Sequence, residues 1–172
     1  MSKILYQDDN WKIVEEEVEL FDGRTTKRTW VCRSDSVSII ALKDSETILL
    51  LREYRPIYGE WLWMLPSGKV DKETDVKSAA QRELQEETGY KSNNLEHWFS
   101  CNNSETITQT NHVFLAKDLE KAPLEQDVDE LIEVHEVPIK DAISDVAKNK
   151  YRHTITAYAL LRYGAEHGIL SR

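Results

Sequence analysis

The chain has 172 residues, a length that fits one domain of ordinary size whose core needs no disulfide or metal to hold it together. Hydrophobic residues make up 40% and charged residues 31% of the sequence, proportions that exclude a disordered or collagen-like chain. The 22 basic and 31 acidic residues give a net charge of 22 − 31 = −9, which argues against binding to nucleic acid or to an anionic membrane surface and leaves room for a cationic partner.

Apolar runs in the chain are short, and the longest ones, such as residues 48–51, are far from the length that crosses a bilayer. The N-terminal residues lack the apolar stretch of a signal peptide. The two cysteines, Cys32 and Cys101, form no CxxC pair, so we expect both to be reduced core residues. Together these features predict a cytoplasmic protein with no membrane association.

Short apolar or alternating runs predict the strands. Asp22 and Gly23 predict a hairpin turn between the first two of these strands. Residues 43–46 are polar and predict the turn of a second hairpin, which we expect to be buried. The predicted strands are Trp11–Leu20, Lys27–Cys32, Val37–Leu42, Thr47–Leu51, Leu95–Ser100, His112–Ala116 and Leu131–Val137.

Helical segments are predicted after residue 75 and at the end of the chain. Pro66, Gly68 and Asp71 indicate a loop over residues 65–75, and Gly89 is placed to end the first helix. The order of strands, helix, strands and helices predicts an α+β fold in layers, with residues 1–36 as an N-terminal β extension, a candidate dimerisation arm, and residues 37–172 as the main domain. The predicted helices are Val76–Thr88, Ile139–Lys148 and Thr154–His167.

Three glutamates on the first predicted helix form an unusual cluster. At about 100° per residue, Glu83 and Glu87 lie about 40° apart on one face, and Glu86 lies about 60° to the side of Glu83. The predicted buried stripe is Val76, Ala80 and Leu84, so the carboxylates fall at the edge of the core face rather than opposite it.

Like charges one helical turn apart repel, and partial burial makes that repulsion more costly. A divalent cation is the simplest remedy. Because no histidine or cysteine joins the cluster, the all-oxygen ligands favour Mg²⁺, with Mn²⁺ as the alternative, over zinc. A solvated acidic helix face is the plainer interpretation, and the placement of the glutamates beside the core argues against it.

The segment from Gly68 to Tyr90 resembles the signature of the Nudix hydrolases, G-x5-E-x7-R-E-U-x-E-E-x-G-U, in which U is a bulky apolar residue. The first glutamate of the pattern falls on Thr74, with Glu73 beside it. In the family this glutamate helps to hold the loop against the arginine of the motif, so the departure affects the loop rather than the metal-binding glutamates. The matching residues are Gly68, Arg82, Glu83, Leu84, Glu86, Glu87, Gly89 and, loosely, Tyr90.

The resemblance implies an α/β/α sandwich with a mixed sheet, and hydrolysis of a nucleoside diphosphate linked to another group. It assigns metal binding to Glu83, Glu86 and Glu87 and to the backbone carbonyl of Ser67, with Glu86 also as a catalytic carboxylate. The chemistry is consistent, because a bound metal neutralises the diphosphate that an acidic protein would otherwise repel and lowers the pKa of a bound water.

The flanking residues resemble the ADP-ribose and nucleoside diphosphate sugar pyrophosphatases. Leu51–Pro56 and Trp61–Asp71 are similar to that subgroup's Q-[YF]-R and E-L-P-A-G-x-[IV]-D patterns, although Glu53, Met64 and Ser67 depart from the usual Gln, Glu and Ala. The subgroup also carries an N-terminal β extension that is often exchanged between the subunits of a dimer, which implies a homodimer here.

The same resemblance implies further substrate contacts. Arg55 corresponds to a phosphate-binding arginine, and Arg52 is a weaker candidate for the same role. Glu130, in the acidic stretch before the strand at Leu131, corresponds to a general base. Trp11 lies near the position at which relatives stack a base on an aromatic ring, although plain packing explains it as well.

The sequence therefore predicts a Mg²⁺-dependent Nudix pyrophosphatase that cleaves ADP-ribose or another nucleoside diphosphate sugar into a nucleoside monophosphate and a sugar phosphate. Two alternatives stay open: a nucleoside triphosphate sanitising enzyme of the same fold, and a non-catalytic sensor of nucleotide sugars. The five histidines show no metal-ligand spacing, and we expect them to be incidental to the site.

Overall fold

The structure is a computed structural model that describes residues 2–72, 75–102, 104–126 and 131–170. Over these residues the chain forms three helices and eleven strands. The helices are α1 (Val76–Thr88), α2 (Ile139–Ala147) and α3 (Thr154–Glu166). The strands are β1 (Lys3–Gln7), β2 (Lys12–Glu19), β3 (Thr25–Cys32), β4 (Ser36–Leu42), β5 (Thr47–Arg55), β6 (Glu60–Met64), β7 (Ser67–Lys69), β8 (Tyr90–Asn102), β9 (Ile107–Thr108), β10 (Thr110–Lys121) and β11 (Ile132–Pro138).

The strands form two sheets. The larger sheet has the order β11-β5-β4-β10-β8, with β6 added to β5 and β7 added to β4. Its β4–β10 pair is parallel and its other pairs are antiparallel, so the sheet is mixed, as the resemblance implied. The smaller sheet has the order β1-β2-β3-β9.

The central strands β4 and β5 contain the apolar runs Ile39–Leu42 and Ile48–Leu51, because helices cover both faces of the larger sheet there. Side chains alternate between the faces, so Ile39 and Leu49 pack with α1 on one side. Ile40 and Leu50 pack with α2 and α3 on the other side. The predicted second hairpin is confirmed, with Ala41 paired to Leu49, and the three layers form an α/β/α sandwich.

Helix α1 has the predicted bounds because its two ends carry strong local signals. At its start the Asp75 carboxylate accepts hydrogen bonds from the backbone N–H groups of Lys77 and Ser78. At its end Gly89 adopts φ 77°, and its N–H donates to the Gln85 carbonyl. The predicted buried stripe was partly wrong, because Val76 is only half-buried.

The side chains of α1 that are buried are Ala79, Ala80, Glu83, Leu84, Glu87 and Thr88.

Three short strands were not predicted: β1, β7 and β9. The most important is β7, which lies inside the segment that Pro66 and Gly68 indicated as a loop. Its backbone pairs with the first residues of β4, with Gly68 opposite Val37 and Ser67 opposite Ser38. This pairing depends on a distant strand and leaves no periodic pattern in three residues.

The N-terminal residues lie in the smaller sheet, as the predicted β extension requires. The later strand β9 also joins this sheet, with Ile107 beside Val31. The boundary between residues 36 and 37, and the role of the extension as a dimerisation arm, stay predictions. No helix within the described ranges is long and apolar enough to cross a membrane.

We predict that Gly89→Ala lowers the free energy of unfolding by about 1 kcal/mol, because an L side chain is strained at positive φ. A Cβ atom at this position would meet only Pro123 at 3.8 Å, an ordinary contact, so the penalty arises from the backbone. Gly89→Asn is the matched control and should cost less, since asparagine tolerates the left-handed region. Urea denaturation measures both, and an alanine variant as stable as the wild type would contradict the assignment.

Candidate active site

Two acidic side chains of α1 are buried beside the sheet. Glu83 is 8% and Glu87 is 6% exposed, while Glu86 is half-buried. The packing of Ala79, Ala80 and Leu84 against the sheet sets the rotation of α1, and the i, i+4 pair of glutamates then lies at the rim, facing β7. Buried carboxylates need charged or hydrogen-bonded partners, and the structure provides both.

Gly68 is required by the position of the Glu83 carboxylate. A Cβ atom added at residue 68 would overlap the carboxyl carbon and both carboxylate oxygens of Glu83. The reason for glycine here is therefore close approach, and not an unusual backbone conformation. The signature glycine and the first metal-binding candidate form one packed unit.

Glu87 is fixed to the same strand by a hydrogen bond. The Ser67 backbone N–H donates to Glu87 Oε2, with a nitrogen–oxygen distance of 2.7 Å. Ser67 thus lies beside the acidic cluster, as the prediction of a carbonyl ligand requires. That the Ser67 carbonyl binds a metal stays a prediction.

Arg82 links the cluster to the loop. Its guanidinium lies 2.8 Å from Glu83 Oε1 and 2.5 Å from Glu86 Oε2, and it donates to the Lys69 carbonyl at 3.2 Å. The arginine of the signature therefore braces the strand–loop segment, as the resemblance implied. Glu73 and Thr74, at the position where the signature departs, lie outside the described residues.

The residues of this cluster fit a divalent cation by the chemistry of their donors. Glu83, Glu86, Glu87 and the Ser67 carbonyl supply only hard oxygen ligands, which suit Mg²⁺ or Mn²⁺. Within the described residues, no three acidic, histidine or cysteine side chains converge as a preformed metal site. Two of the carboxylates contact Arg82 and the third accepts from the Ser67 N–H. A carboxylate has about four lone-pair sites, so each can keep such a contact and still bind an ion.

A cavity of about 570 Å³ opens beside the cluster. Its volume suits a nucleotide-sized ligand. Although the chain has a net charge of −9, five cationic side chains line this one cavity, so it can hold an anion that the rest of the surface repels. They are Arg33, Arg55, Lys69, Lys72 and Arg82; polar neighbours are Ser36, Ser38, Gln109 and Asn111.

Arg55 lies at the end of β5 and lines the cavity. Its Nη2 atom is 2.8 Å from Glu53 Oε2, and Glu53 is only 6% exposed. The same nitrogen lies 3.4 Å from the Met64 sulfur. Glu53 and Met64 are two positions that depart from the subgroup pattern, and both serve here to orient the arginine.

The structure does not bring Arg52 to the cavity. Side chains alternate between the two faces of a strand, so Arg52 and Arg55, which are three residues apart on β5, project to opposite sides. Its guanidinium lies 5.8 Å from the ring centre of Trp61 and 5.7 Å from that of Trp63, and its Nε atom is buried without a hydrogen-bond partner among the described residues. Arg52 is therefore placed for packing, and a substrate contact from it is not supported.

The predicted roles of Trp11 in base stacking and of Glu130 as a general base stay predictions. Trp11 does not line the cavity, but it contacts a residue that does. The Arg33 guanidinium lines the cavity and lies 4.3 Å from the centre of the Trp11 ring. Trp11 is 41% exposed, which leaves its outer surface open. Glu130 lies outside the described residues.

His153, just before the last helix, is a candidate that the structure, and not a sequence motif, brings to the cavity. It lines the cavity, and its Nδ1 atom is 2.9 Å from the Thr156 hydroxyl. Burial, and then the positive charge of Arg55, lower the pKa of His153 to about 4, so the imidazole is neutral near pH 7. The expectation that the histidines are incidental stays untested, and its position in the cavity lining makes His153 the histidine to examine. No motif surrounds it, and only the fold brings it to Arg55.

Comparison with known proteins identifies the family. The family model described as NUDIX domain matches residues 33–158. The chain belongs to the Nudix family. This confirms the resemblance, and the signature residues of the family are those that connect α1 to β7.

Curated relatives share most of the chain with this Nudix protein. The ADP-ribose pyrophosphatase of Bacillus subtilis (strain 168) is 33% identical over 148 residues, which cover 84% of this chain and 80% of the relative. The methanol dehydrogenase activator of Bacillus methanolicus is 29% identical over 152 residues, covering 87% and 82%. The GDP-mannose pyrophosphatase of Yersinia enterocolitica is 28% identical over 174 residues, covering 95% and 85%.

A solved structure confirms the fold. The crystal structure of an ADP compounds hydrolase superposes with a TM-score of 0.80 and covers 99% of this chain and 95% of its own. The two sequences are 20% identical, so this similarity concerns the fold. The predicted α+β sandwich of the Nudix type is confirmed.

We predict that His153 makes stability depend on pH. Its pKa falls from 6.5 in the unfolded chain to about 4 in the folded protein, so the unfolded chain binds more protons between these values. Acidification from pH 6.5 through 4 should therefore destabilise the wild type by up to about 3 kcal/mol relative to His153→Gln, which does not titrate. Urea denaturation across this range measures the difference, in which the carboxylates shared by both proteins cancel. A difference that does not vary with pH would contradict the assignment.

Proposed function

We propose that this Nudix protein is a Mg²⁺-dependent pyrophosphatase that hydrolyses ADP-ribose or another nucleoside diphosphate sugar to a nucleoside monophosphate and a sugar phosphate. The observation that carries the proposal is the position of buried Glu83 at the wall of a cavity lined by cationic side chains, with buried Glu87 one helical turn further along α1. Such a site joins metal-binding oxygens to groups that bind phosphate.

The chain's own residues divide the work between them. Glu83, Glu86, Glu87 and the Ser67 carbonyl would hold the ion. Bound Mg²⁺ supplies charge neutralisation of the diphosphate and lowers the pKa of a coordinated water. Arg55, fixed by Glu53, binds a phosphate oxygen and orients the diphosphate.

Two roles remain: accepting the proton of the attacking water and binding the nucleobase. Glu86 and Glu130 are the proposed acceptors of the proton of the attacking water. Trp11, whose ring contacts Arg33 of the cavity lining, is the proposed stacking platform for the nucleobase.

The names of the relatives support the substrate class. Three of them are called ADP-ribose pyrophosphatase, and others are called GDP-mannose pyrophosphatase and ADP-sugar pyrophosphatase. These substrates share a diphosphate between a nucleoside and a sugar, and differ in the base and the sugar. The shared part is the one that the carboxylates and arginines of this chain are placed to bind.

We also propose that the protein is a homodimer in the cytoplasm and does not bind nucleic acid. The β1 side chains Ile4, Leu5 and Tyr6 are about half exposed, and Phe21 at the β2–β3 turn is fully exposed. A second copy of the chain would cover this apolar surface. The unpaired thiols of Cys32 and Cys101 fit a reducing compartment, and the net charge of −9 disfavours polyanionic partners.

We predict that Glu87→Gln lowers kcat for AMP release from ADP-ribose by about 100-fold or more, because the substitution removes a ligand charge from the metal site. Glutamine can still accept the Ser67 N–H, so the fold should be kept. The matched control is Glu96→Gln, an exposed glutamate on β8, which should retain full activity.

The same assay separates the alternatives. Activity should require Mg²⁺ and disappear in EDTA. Full activity of Glu87→Gln or activity in EDTA would contradict the site. Pyrophosphate release from nucleoside triphosphates, with nucleotide sugars left intact, would favour the sanitising enzyme, and binding of nucleotide sugars without turnover would favour the sensor.

We predict a dimer with a mass near twice 20.0 kDa in light scattering after gel filtration. Ile4→Glu should shift the protein toward the monomer, because it places a charge on an exposed apolar surface that the second copy would bury. Lys3→Gln, on the same strand, is the control and should leave the dimer intact. A wild type that elutes as a monomer at all concentrations would contradict the proposal.

A further inference from the structure

His153 is at the N-cap position of α3, where histidine is not a favoured residue. It immediately precedes α3, where Ser, Thr, Asp or Asn side chains accept hydrogen bonds from the first N–H groups of a helix. The His153 side chain makes no such bond. Its imidazole instead lines the cavity that contains Arg55 and Glu83.

A short chain of hydrogen bonds fixes which nitrogen of the imidazole carries the proton. The Leu65 N–H donates to the Thr156 hydroxyl at 3.0 Å, and Thr156 is fully buried. Over the described residues, the only acceptor within reach of the Thr156 hydroxyl proton is His153 Nδ1, at 2.9 Å. Nδ1 therefore accepts, and a neutral imidazole must then carry its hydrogen on Nε2.

The neutral form is the one that the surroundings favour. Burial and the charge of Arg55 both oppose a second proton on His153. A protonated Nε2 cannot bind a metal ion, because ligation requires a lone pair on that nitrogen. The imidazole is thus an uncharged donor beside a cationic arginine, and it complements an oxygen that has lone pairs and no hydrogen.

We propose that His153 is a substrate-binding residue whose Nε2–H donates a hydrogen bond to a non-bridging phosphate oxygen of the bound diphosphate, beside Arg55. This inference rests on the proposed function. Phosphate oxygens near pH 7 are acceptors only, and they are charged, so they suit a donor whose orientation is fixed by Thr156 and Leu65. Because the donor is neutral, it adds a directed hydrogen bond without repelling Arg55.

The test compares two substitutions of His153. His153→Gln keeps an uncharged N–H donor, and His153→Leu keeps an apolar side chain of comparable size without one. For the α,β-methylene analogue of ADP-ribose with Mg²⁺, measured by calorimetry, we expect the Leu variant to bind about 10-fold to 100-fold more weakly. We expect the Gln variant to bind within about 3-fold of the wild type.

In the hydrolysis assay the loss in the Leu variant should appear mainly in KM, because the hydrogen bond is present before the reaction begins. His97→Leu is the matched control: it replaces an exposed histidine that does not line the cavity, and it should change neither constant. Equal analogue affinity of the wild type and the Leu variant would overturn the inference.

A measurement on the wild type keeps the inference testable if the Leu variant does not fold. Nitrogen-15 NMR of the imidazole should show Nε2 protonated and Nδ1 unprotonated near pH 7, and a proton on Nδ1 would overturn the inference. The wild type also shows whether the proposed function, rather than the role of His153, has failed. A wild type that binds the analogue but hydrolyses no nucleotide sugar refutes the activity while the affinity comparison still stands, and a wild type that binds no analogue refutes both.

Discussion

The active site depends on the contact between the Glu83 carboxylate and the backbone of Gly68. Strand β7 is fixed by its pairing with β4, and α1 is fixed by the packing of small and apolar side chains on the same sheet. These two constraints force the carboxylates of Glu83 and Glu87 against the β7 backbone, where Gly68 leaves room and the Ser67 N–H provides a hydrogen bond. Buried acids are costly, so this arrangement needs a positive partner, which Arg82 supplies in part and a divalent cation would supply during function.

The cavity next to this contact has the opposite charge to the protein as a whole. A chain of net charge −9 repels a diphosphate at long range, and cationic side chains around one cavity provide a local site for it. Arg55 is oriented by buried Glu53, and His153 lies beside it as a neutral donor. The site thus combines charge with directed hydrogen bonds, which suits a ligand whose constant part is a diphosphate and whose base and sugar vary among relatives.

The sequence predicted the parts of the site that depend on local signals. Helix α1 was predicted with correct bounds, because Gly89 ends it and the spacing of its glutamates shows on a helical wheel. Strand β7 was not predicted, because its pairing partner lies about 30 residues away and three residues carry no period. The sequence could not place Arg52 or His153 relative to the cavity for a related reason: packing of the whole fold decides which face of β5 lines the cavity and brings the residue before α3 to it. Glu130 lies outside the described residues, so its role stays a prediction.

The most direct test of this account is the effect of Mg²⁺ on the free energy of unfolding, without any substrate. If the buried carboxylates bind the ion only in the folded protein, a Mg²⁺ concentration 100 times the dissociation constant should stabilise the wild type by about 2.7 kcal/mol. Gly68→Ala, whose Cβ displaces the Glu83 carboxylate, should lose most of that gain. A wild type whose urea midpoint is unchanged by Mg²⁺, or a Gly68→Ala variant stabilised as much as the wild type, would contradict the account.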